Sequence, residues 1–322
     1  MMPALEVRGL RTHFFTRSGV VKAVDGVDLR IEPGRVLGLV GESGSGKSVT
    51  GLSILGLIDP PGRIVEGSVL LDGQELVGLE RDAARRVRGR KIAMIFQDPM
   101  MTLNPVLRVD TQMSMALRAH ETISKESVRE RSLAALGRVG LPAPEQCLMA
   151  YPHQLSGGMR QRVAIAIALL HSPSVIVCDE PTTALDVSIQ GQILQEMQRL
   201  GAELGVALVW ITHDLAVVSS LAHDIAVMYA GRIVETGPTE DVLAAPRHPY
   251  TRGLLDSVPG EGTPGEKLAQ IPGSIPALID LPPGCAFRAR CGRADGACEA
   301  MPEITDLGHG RGVRCFHPLE AA

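Results

Sequence analysis

No stretch of this sequence approaches the ~18 consecutive apolar residues that a membrane span requires. The longest candidates, "VAIAIALL" and "VALVWI", are the size of a buried helix segment and a buried strand. The opening "MMPALEVRGLRTHFF" lacks the apolar run of a secretory signal. These two absences place the chain in the cytosol, with any membrane association made through a partner. Reducing thiol pools there disfavour structural disulfides. Positive charge is not in surplus: the net charge is −4, against the basic excess usual for a nucleic-acid-binding domain. Internal repeats at solenoid periods and low-complexity tracts are missing too.

What is present suits a soluble globular protein. Of 322 residues, 45% are apolar and 21% charged, which leaves ample material for a core. Ten of the 22 prolines lie between Pro246 and Pro318. That shift puts a boundary near Tyr250, with an α/β body over 1–250 and a loop-rich extension over 251–322. Within the body, "RVLGLV", "SVIVCDE" and "GVALVWITHD" read as strands buried on both faces of a mainly parallel sheet. Between the last two, Ile189, Ile193, Met197, Leu200 and Leu204 recur at helical spacing and predict one apolar helix face. The opening segment reads as antiparallel strands, and "IAVMYAGRIVETG" as a hairpin turning near Ala230 and Gly231.

Three stretches carry phosphate chemistry. "VGESGSGKSV" follows one predicted strand, precedes a helical run, and matches G-x-x-x-x-G-K-[ST] from Gly41 to Ser48. Its glycines let successive backbone N–H groups turn inward on phosphate oxygens. Lys47 adds a point charge, and Ser48 offers a hydroxyl to Mg²⁺. The strand "VIVCDE" delivers Asp179 and Glu180, which point oppositely and so suit two tasks: Mg²⁺ held through water, and polarisation of an attacking water. In "LSGGM", Ser156, Gly157 and Gly158 open a long helix at its positive end, a second phosphate-binding feature. One chain cannot easily bring both features to one nucleotide, whereas two chains head-to-tail can. Around them stand His213 at the close of a strand, Gln97 after "KIAMIF", and Phe14, an aromatic on which adenine would stack. Taken singly, a lone His is usually structural and Phe14 reads as a core residue.

"GESGSGKS", Gln97, "LSGGMRQR", "VIVCDEPTTALD" and His213, in that order and spacing, resemble the ATP-binding subunit of an ABC transporter over about residues 5–250. The resemblance implies an α/β cassette of the P-loop type. Its parts would be a mixed core sheet, an antiparallel β subdomain and a helical subdomain at about 98–156. It implies that Gly41, Glu42, Ser43, Gly44, Ser45, Gly46, Lys47, Ser48 and Val49 bind nucleotide, with Phe14 on adenine. Ser48 and Gln97 would ligate Mg²⁺ and Asp179 hold it through water. Glu180 would be the general base and His213 the γ-phosphate switch. Ser156, Gly157 and Gly158 would face the partner's ATP, and Asp186 would make a contact across the dimer.

"FQDPMMTLNP", "APRHPYTRGLL" and the cysteine tail extend the likeness to the ATPases of bacterial dipeptide and oligopeptide importers. Those pair with a second, commonly paralogous ATPase under two permeases, on the cytoplasmic face of the inner membrane. An extracytoplasmic binding protein feeds them, and no nucleic acid is involved. Importers of nickel or other small solutes remain the alternative. A nucleic-acid-associated ATPase with the same sandwich is the reading from another class.

Cys285, Cys291, Cys298 and Cys315 are separated by five, six and sixteen residues. Tetrahedral zinc usually shows a close C-x₂₋₄-C pair, and there is none; the common ferredoxin spacings do not match either. Spacing leaves zinc and an iron–sulfur cluster comparable, with unligated thiols behind. The resemblance implies a [4Fe–4S] cluster on these four residues. Cys147 and Cys178 read as ordinary small apolar residues.

Overall fold

The computed structural model describes residues 2–183, 185–258 and 270–320, except for the side chain of Val187. In chain order the structure opens with β1 (Leu5–Thr16), β2 (Gly19–Ile31), β3 (Val36–Val40), α1 (Lys47–Ile54), β4 (Gly62–Leu71) and β5 (Gln74–Glu75). Next come α2 (Arg81–Val87), β6 (Ile92–Ile95), α3 (Val109–Arg118), α4 (Lys125–Arg138), α5 (Pro144–Met149), α6 (Gly157–Leu169) and β7 (Val175–Asp179). There follow α7 (Val187–Leu204), β8 (Ala207–Thr212), α8 (Leu215–Leu221), β9 (Asp224–Tyr229) and β10 (Arg232–Pro238). The last elements are α9 (Thr239–Ala244), α10 (Pro249–Asp256), β11 (Thr305–Gly308) and β12 (Arg311–Val313). The chain gathers into two compact units. One holds Met1–Leu5, Ile31–Arg35 and Leu71–Val209, and the other Glu6–Arg30, Val36–Leu70 and Trp210–Ala322.

In the first unit β6 and β7 run parallel, from Ile92 opposite Val175 to Ile95 opposite Cys178. β7 is apolar and buried until Asp179, so the carboxylate appears where the strand ends. Helices α3, α5 and α6 pack on α4. α4 starts at Ser124, whose hydroxyl accepts the Ser127 N–H at 3.2 Å. α6 starts at Ser156 in the same way, with the Met159 N–H at 3.3 Å. Its Val163, Ala164, Ile165, Ala166, Ala168 and Leu169 are all buried, as suits a helix enclosed by neighbours. On α7, Ile193, Met197 and Leu200 are buried as the spacing predicts. Leu204 is 37% exposed, because the helix stops there at Gly205 in the left-handed region, φ 68°.

In the second unit β1 lies between β2 and β4 in one sheet. A second sheet runs in the order β11, β12, β10, β9, β3. β3 is buried at all five residues and pairs parallel with β9, Leu37 opposite Asp224 through Val40 opposite Val227. β9 and β10 form the predicted hairpin, Tyr229 opposite Arg232. Ala230 and Gly231 turn it with φ of 46° and 84°, the left-handed pair that a two-residue hairpin requires.

The tail is more integral than its proline content suggests. β12 pairs antiparallel with β10, Glu235 opposite Val313, and β11 pairs with β12. Phe287 joins Val40, Val227, Tyr229, Val234 and Tyr250 in one buried cluster. Among the described residues no helix is long and apolar enough to cross a membrane.

Replacing Phe287, 4% exposed, with alanine is expected to cost about 3 kcal/mol. A chemical-denaturation midpoint equal to that of the wild type would show that the tail packs only peripherally.

Candidate functional site

Residues 41–46 form a tight loop between β3 and α1, and glycine is required at two points by crowding. A Cβ on Gly41, φ 155°, would lie 2.2 Å from the Met228 carbonyl oxygen. One on Gly46, φ 108°, would lie 2.2 Å from that of Ala23. The Gly231 N–H bonds the Ser45 carbonyl at 2.8 Å, which ties the loop to the β9–β10 turn. Lys47 is buried and bridges the loop's mouth, its Nζ donating to the carbonyls of Gly41 at 2.8 Å and Glu42 at 3.0 Å. Ser43, Gly44 and Ser48 are exposed, Ser45 is buried and Val49 is half-buried. α1 starts with no side-chain cap and no acidic residue in its first turn, which leaves its positive end to an anion.

The first unit carries the carboxylates. Asp179 closes β7, and Glu180 follows with φ 46°, a conformation that a residue with a Cβ adopts at a cost of about 1–3 kcal/mol. The Thr183 hydroxyl donates to Glu180 Oε2 at 3.1 Å. Gln97 is exposed just past β6. In the second unit His213 is exposed directly after β8. Phe14 is half-buried on β1 with its ring edge against Gly62, whose Cβ would lie 2.5 Å from Phe14 Cε1. The neighbouring Phe15 is 40% exposed, with the Arg63 guanidinium 4.3 Å from its ring centre.

Ser156, Gly157, Gly158 and Asp186 line one cleft of about 450 Å³ at the start of α6. Gly158 is needed because a Cβ there would lie 2.8 Å from Ile189 Cγ2 on α7. Leu185 and Asp186 thus face the same space as the start of α6.

Sequence reasoning missed the groups that hold Glu42. Its N–H donates to Tyr250 Oη at 2.8 Å. Its carboxylate takes a two-pronged bond from Arg290, with Nη1 to Oε2 at 2.7 Å and Nη2 to Oε1 at 3.0 Å. Tyr250 sits at the start of α10, capped by His248 Nδ1, which accepts the Tyr250 N–H at 3.0 Å. Burial pushes the His248 imidazole down to about 3, so it is neutral and able to accept that bond. Glu235, 1% exposed, receives the N–H groups of Arg247 at 2.7 Å and His248 at 2.9 Å. It also receives the Arg311 guanidinium at 3.4 Å. The only sequence signal for any of this is "HPYT", which carries no hint of its partners.

The four tail cysteines line one small pocket with Phe287 and Pro302. The Arg293 N–H donates to Cys291 Sγ at 3.4 Å, and the His317 N–H to Cys315 Sγ at 3.3 Å. Burial raises the Cys285 thiol, opposed by the nearby Phe287 and Arg288 N–H groups. Burial likewise pushes Cys315 up to about 11. The Cys285 N–H bonds the Cys298 carbonyl at 3.0 Å. Gly284 permits that approach, since its Cβ would lie 2.4 Å from the same oxygen. Asp295, Cys298 and His317 also bring one ligand atom each within 4.8 Å of one another. Cys147 and Cys178 are buried elsewhere; Cys178 is desolvated enough to raise its thiol well above the usual range.

Comparison with known proteins identifies the family. The ABC transporter family model matches residues 24–183, and the model for the oligopeptide/dipeptide transporter C-terminal region matches 234–298. The chain is 45% identical over 322 residues to the dipeptide transport ATP-binding protein DppD of Escherichia coli, covering 100% of this chain and 98% of that one. It is 45% identical over 318 residues to the oligopeptide transport ATP-binding protein AppD of Bacillus subtilis, covering 98% and 97%. Among solved structures it resembles the ATP-binding cassette MJ0796 in a dimeric post-hydrolysis state bound to ADP and Pi. That likeness has a TM-score of 0.64 at 30% identity, over 73% of this chain and 98% of that one. The glycine loop and the strand-end carboxylate pair, a family model over 24–183, another over 234–298, and relatives 45% identical along nearly the whole chain make this chain an ATPase of the ABC transporter family, carrying the oligopeptide/dipeptide transporter C-terminal region.

Proposed function

We propose that the chain energises import of dipeptides or oligopeptides, hydrolysing ATP at a site shared between two cassettes. The observation that carries the reading is the pair of phosphate-ready features. One is the uncapped start of α1 behind a glycine loop; the other is the Ser156–Gly158 start of α6, open on its own cleft. Gly41 to Val49 hold the β- and γ-phosphates of one ATP, and Ser156, Gly157 and Gly158 of a second ATPase close on it, with Asp186 at the seam. An aromatic at the end of β1 takes adenine; Phe14 is the sequence's candidate, and Phe15 offers the more exposed ring. Ser48 and Gln97 would ligate Mg²⁺ and Asp179 would hold it through water, and the ion would neutralise charge on the phosphate oxygens.

Glu180 accepts a proton from the attacking water, whose oxygen bonds the γ-phosphorus as the bond to the β–γ bridging oxygen breaks. ADP and phosphate leave, and the two cassettes separate. His213 orients the γ-phosphate through its imidazole. The chain works on the cytoplasmic face of the inner membrane beneath two permeases, fed by an extracytoplasmic peptide-binding protein. Peptide substrates are supported by the transport activities for which the relatives are named and by the matched C-terminal region.

Cys285, Cys291, Cys298 and Cys315 hold a [4Fe–4S] cluster. The support is chemical: four sulfurs around one apolar-walled pocket, with backbone N–H donors aimed at cysteine sulfurs in the manner of cluster thiolates. Such a ligand staples a segment with little apolar surface of its own. The second reading is a single zinc, favoured by the convergence of Cys298 with Asp295 and His317.

Lys47→Ala is expected to weaken ATP binding by about tenfold or more, measured by titration with a fluorescent nucleotide. Normal affinity in that variant would contradict the loop assignment. Protein purified without oxygen is expected to carry about four iron and four acid-labile sulfide per chain. One zinc without sulfide would replace the cluster by the zinc reading.

A further inference from the structure

The cysteine loop reaches the phosphate loop through one side chain. Arg290 sits immediately before Cys291, in a single helical turn, Arg288–Arg290, that lies between Cys285 and Cys291. That turn is held at both ends: the Arg290 N–H bonds the Phe287 carbonyl at 2.9 Å, and the Cys291 N–H bonds that of Arg288 at 3.2 Å. The guanidinium is fixed from every side. Nε donates to the Pro272 carbonyl at 2.7 Å, and the rings of Tyr229 and Phe287 lie 5.8 Å and 5.9 Å from its centre. Its two terminal nitrogens hold the Glu42 carboxylate, and at 7% exposure little water competes for them.

Glu42 is an awkward residue to place in an anion-binding loop. A carboxylate one residue past Gly41 repels the polyphosphate that the loop receives, unless a cation neutralises it and turns it aside. Arg290 does both, with the planar fork that matches a carboxylate and that lysine cannot reproduce. Tyr250 restrains the same residue by taking its N–H, so the first turn of the phosphate loop is pinned by two groups from the C-terminal part of the chain.

We propose that Arg290 is a positioning residue for the phosphate loop, making ATP affinity depend on the folded state of the four-cysteine loop. The inference rests on the reading of residues 41–49 as the ATP site. Coupling of this kind is reciprocal: whatever orders the cysteine loop tightens nucleotide binding, and bound nucleotide protects the cysteine loop.

The test is a set of variants of the full chain, each titrated with a fluorescent ATP analogue. Arg290→Met is expected to weaken binding by about tenfold, because it leaves Glu42 charged and uncompensated. Adding Glu42→Gln to it is expected to recover most of that loss, which a general loss of packing would not do. Arg290→Lys, which keeps charge and volume, is expected to fall between wild type and Arg290→Met, and it serves as the reading if the methionine variant fails to fold.

Cys291→Ser is expected to lower affinity when Arg290 is present and to have no further effect on top of Arg290→Met. Wild-type affinity in both Arg290 variants would overturn the proposal. So would equal losses with and without Glu42, or a Cys291→Ser effect undiminished by Arg290→Met. Lys47→Ala separates the two readings: if it binds normally, the loop assignment itself fails whatever Arg290 does.

Discussion

A polyphosphate can be held by peptide N–H groups only if the backbone that bears them is prevented from relaxing when the anion is gone. Here Lys47 bridges the loop's mouth, and the rest of that restraint comes from outside the loop. The carbonyls of Met228 and Ala23 stand where Gly41 and Gly46 would otherwise carry side chains, and the β9–β10 turn bonds Ser45. That turn is in place because the Asp25 N–H bonds the Gly231 carbonyl at 2.8 Å, while the Asp25 carboxylate pairs with Arg11 at 2.7 Å and also with Arg232. The loop is thus clamped between β2 and a hairpin, and much of the second unit serves to hold it.

The C-terminal extension belongs to the same arrangement. Tyr229, Tyr250 and Phe287 meet ring edge to ring face or tilted, with centres 4.6 to 5.4 Å apart, directly behind the start of the phosphate loop. His248 must be neutral to cap α10, and burial keeps it so. Because its folded-state value is depressed, protonation on acidification would break that cap. The stability it contributes is therefore present above its unfolded value near 6.5 and is lost as pH falls toward about 3.

Much of this was legible in the sequence because the chemistry demands it locally. A phosphate loop must be glycine-rich and end in Lys-Ser, and a strand that delivers a carboxylate must be apolar up to that residue. "VIVCDE" and "GESGSGKS" therefore name their own positions, and Ala230–Gly231 names its turn. The links to Glu42 were not legible. Tyr250 lies 208 residues away and Arg290 248, and neither partner shows any periodicity that points to the other. β11 and β12 are four and three residues long, too short for alternation to register, so the tail looked less structured than it is. The sequence reading named Phe14 and passed over Phe15 for a simpler reason: adjacent strand residues face opposite ways, and only the register decides which ring is covered.

On the proposed mechanism, this cassette completes its chemistry only when a second ATPase closes on it, with Glu180 then taking the proton from water. Glu180→Gln, assembled with its companion ATPase and given ATP and Mg²⁺, measures this directly by nucleotide retention and particle mass after gel filtration. The expected result is a closed pair that retains unhydrolysed ATP at the site of the altered chain. ATP held by a separate monomer, or hydrolysis at the wild-type rate, would contradict it.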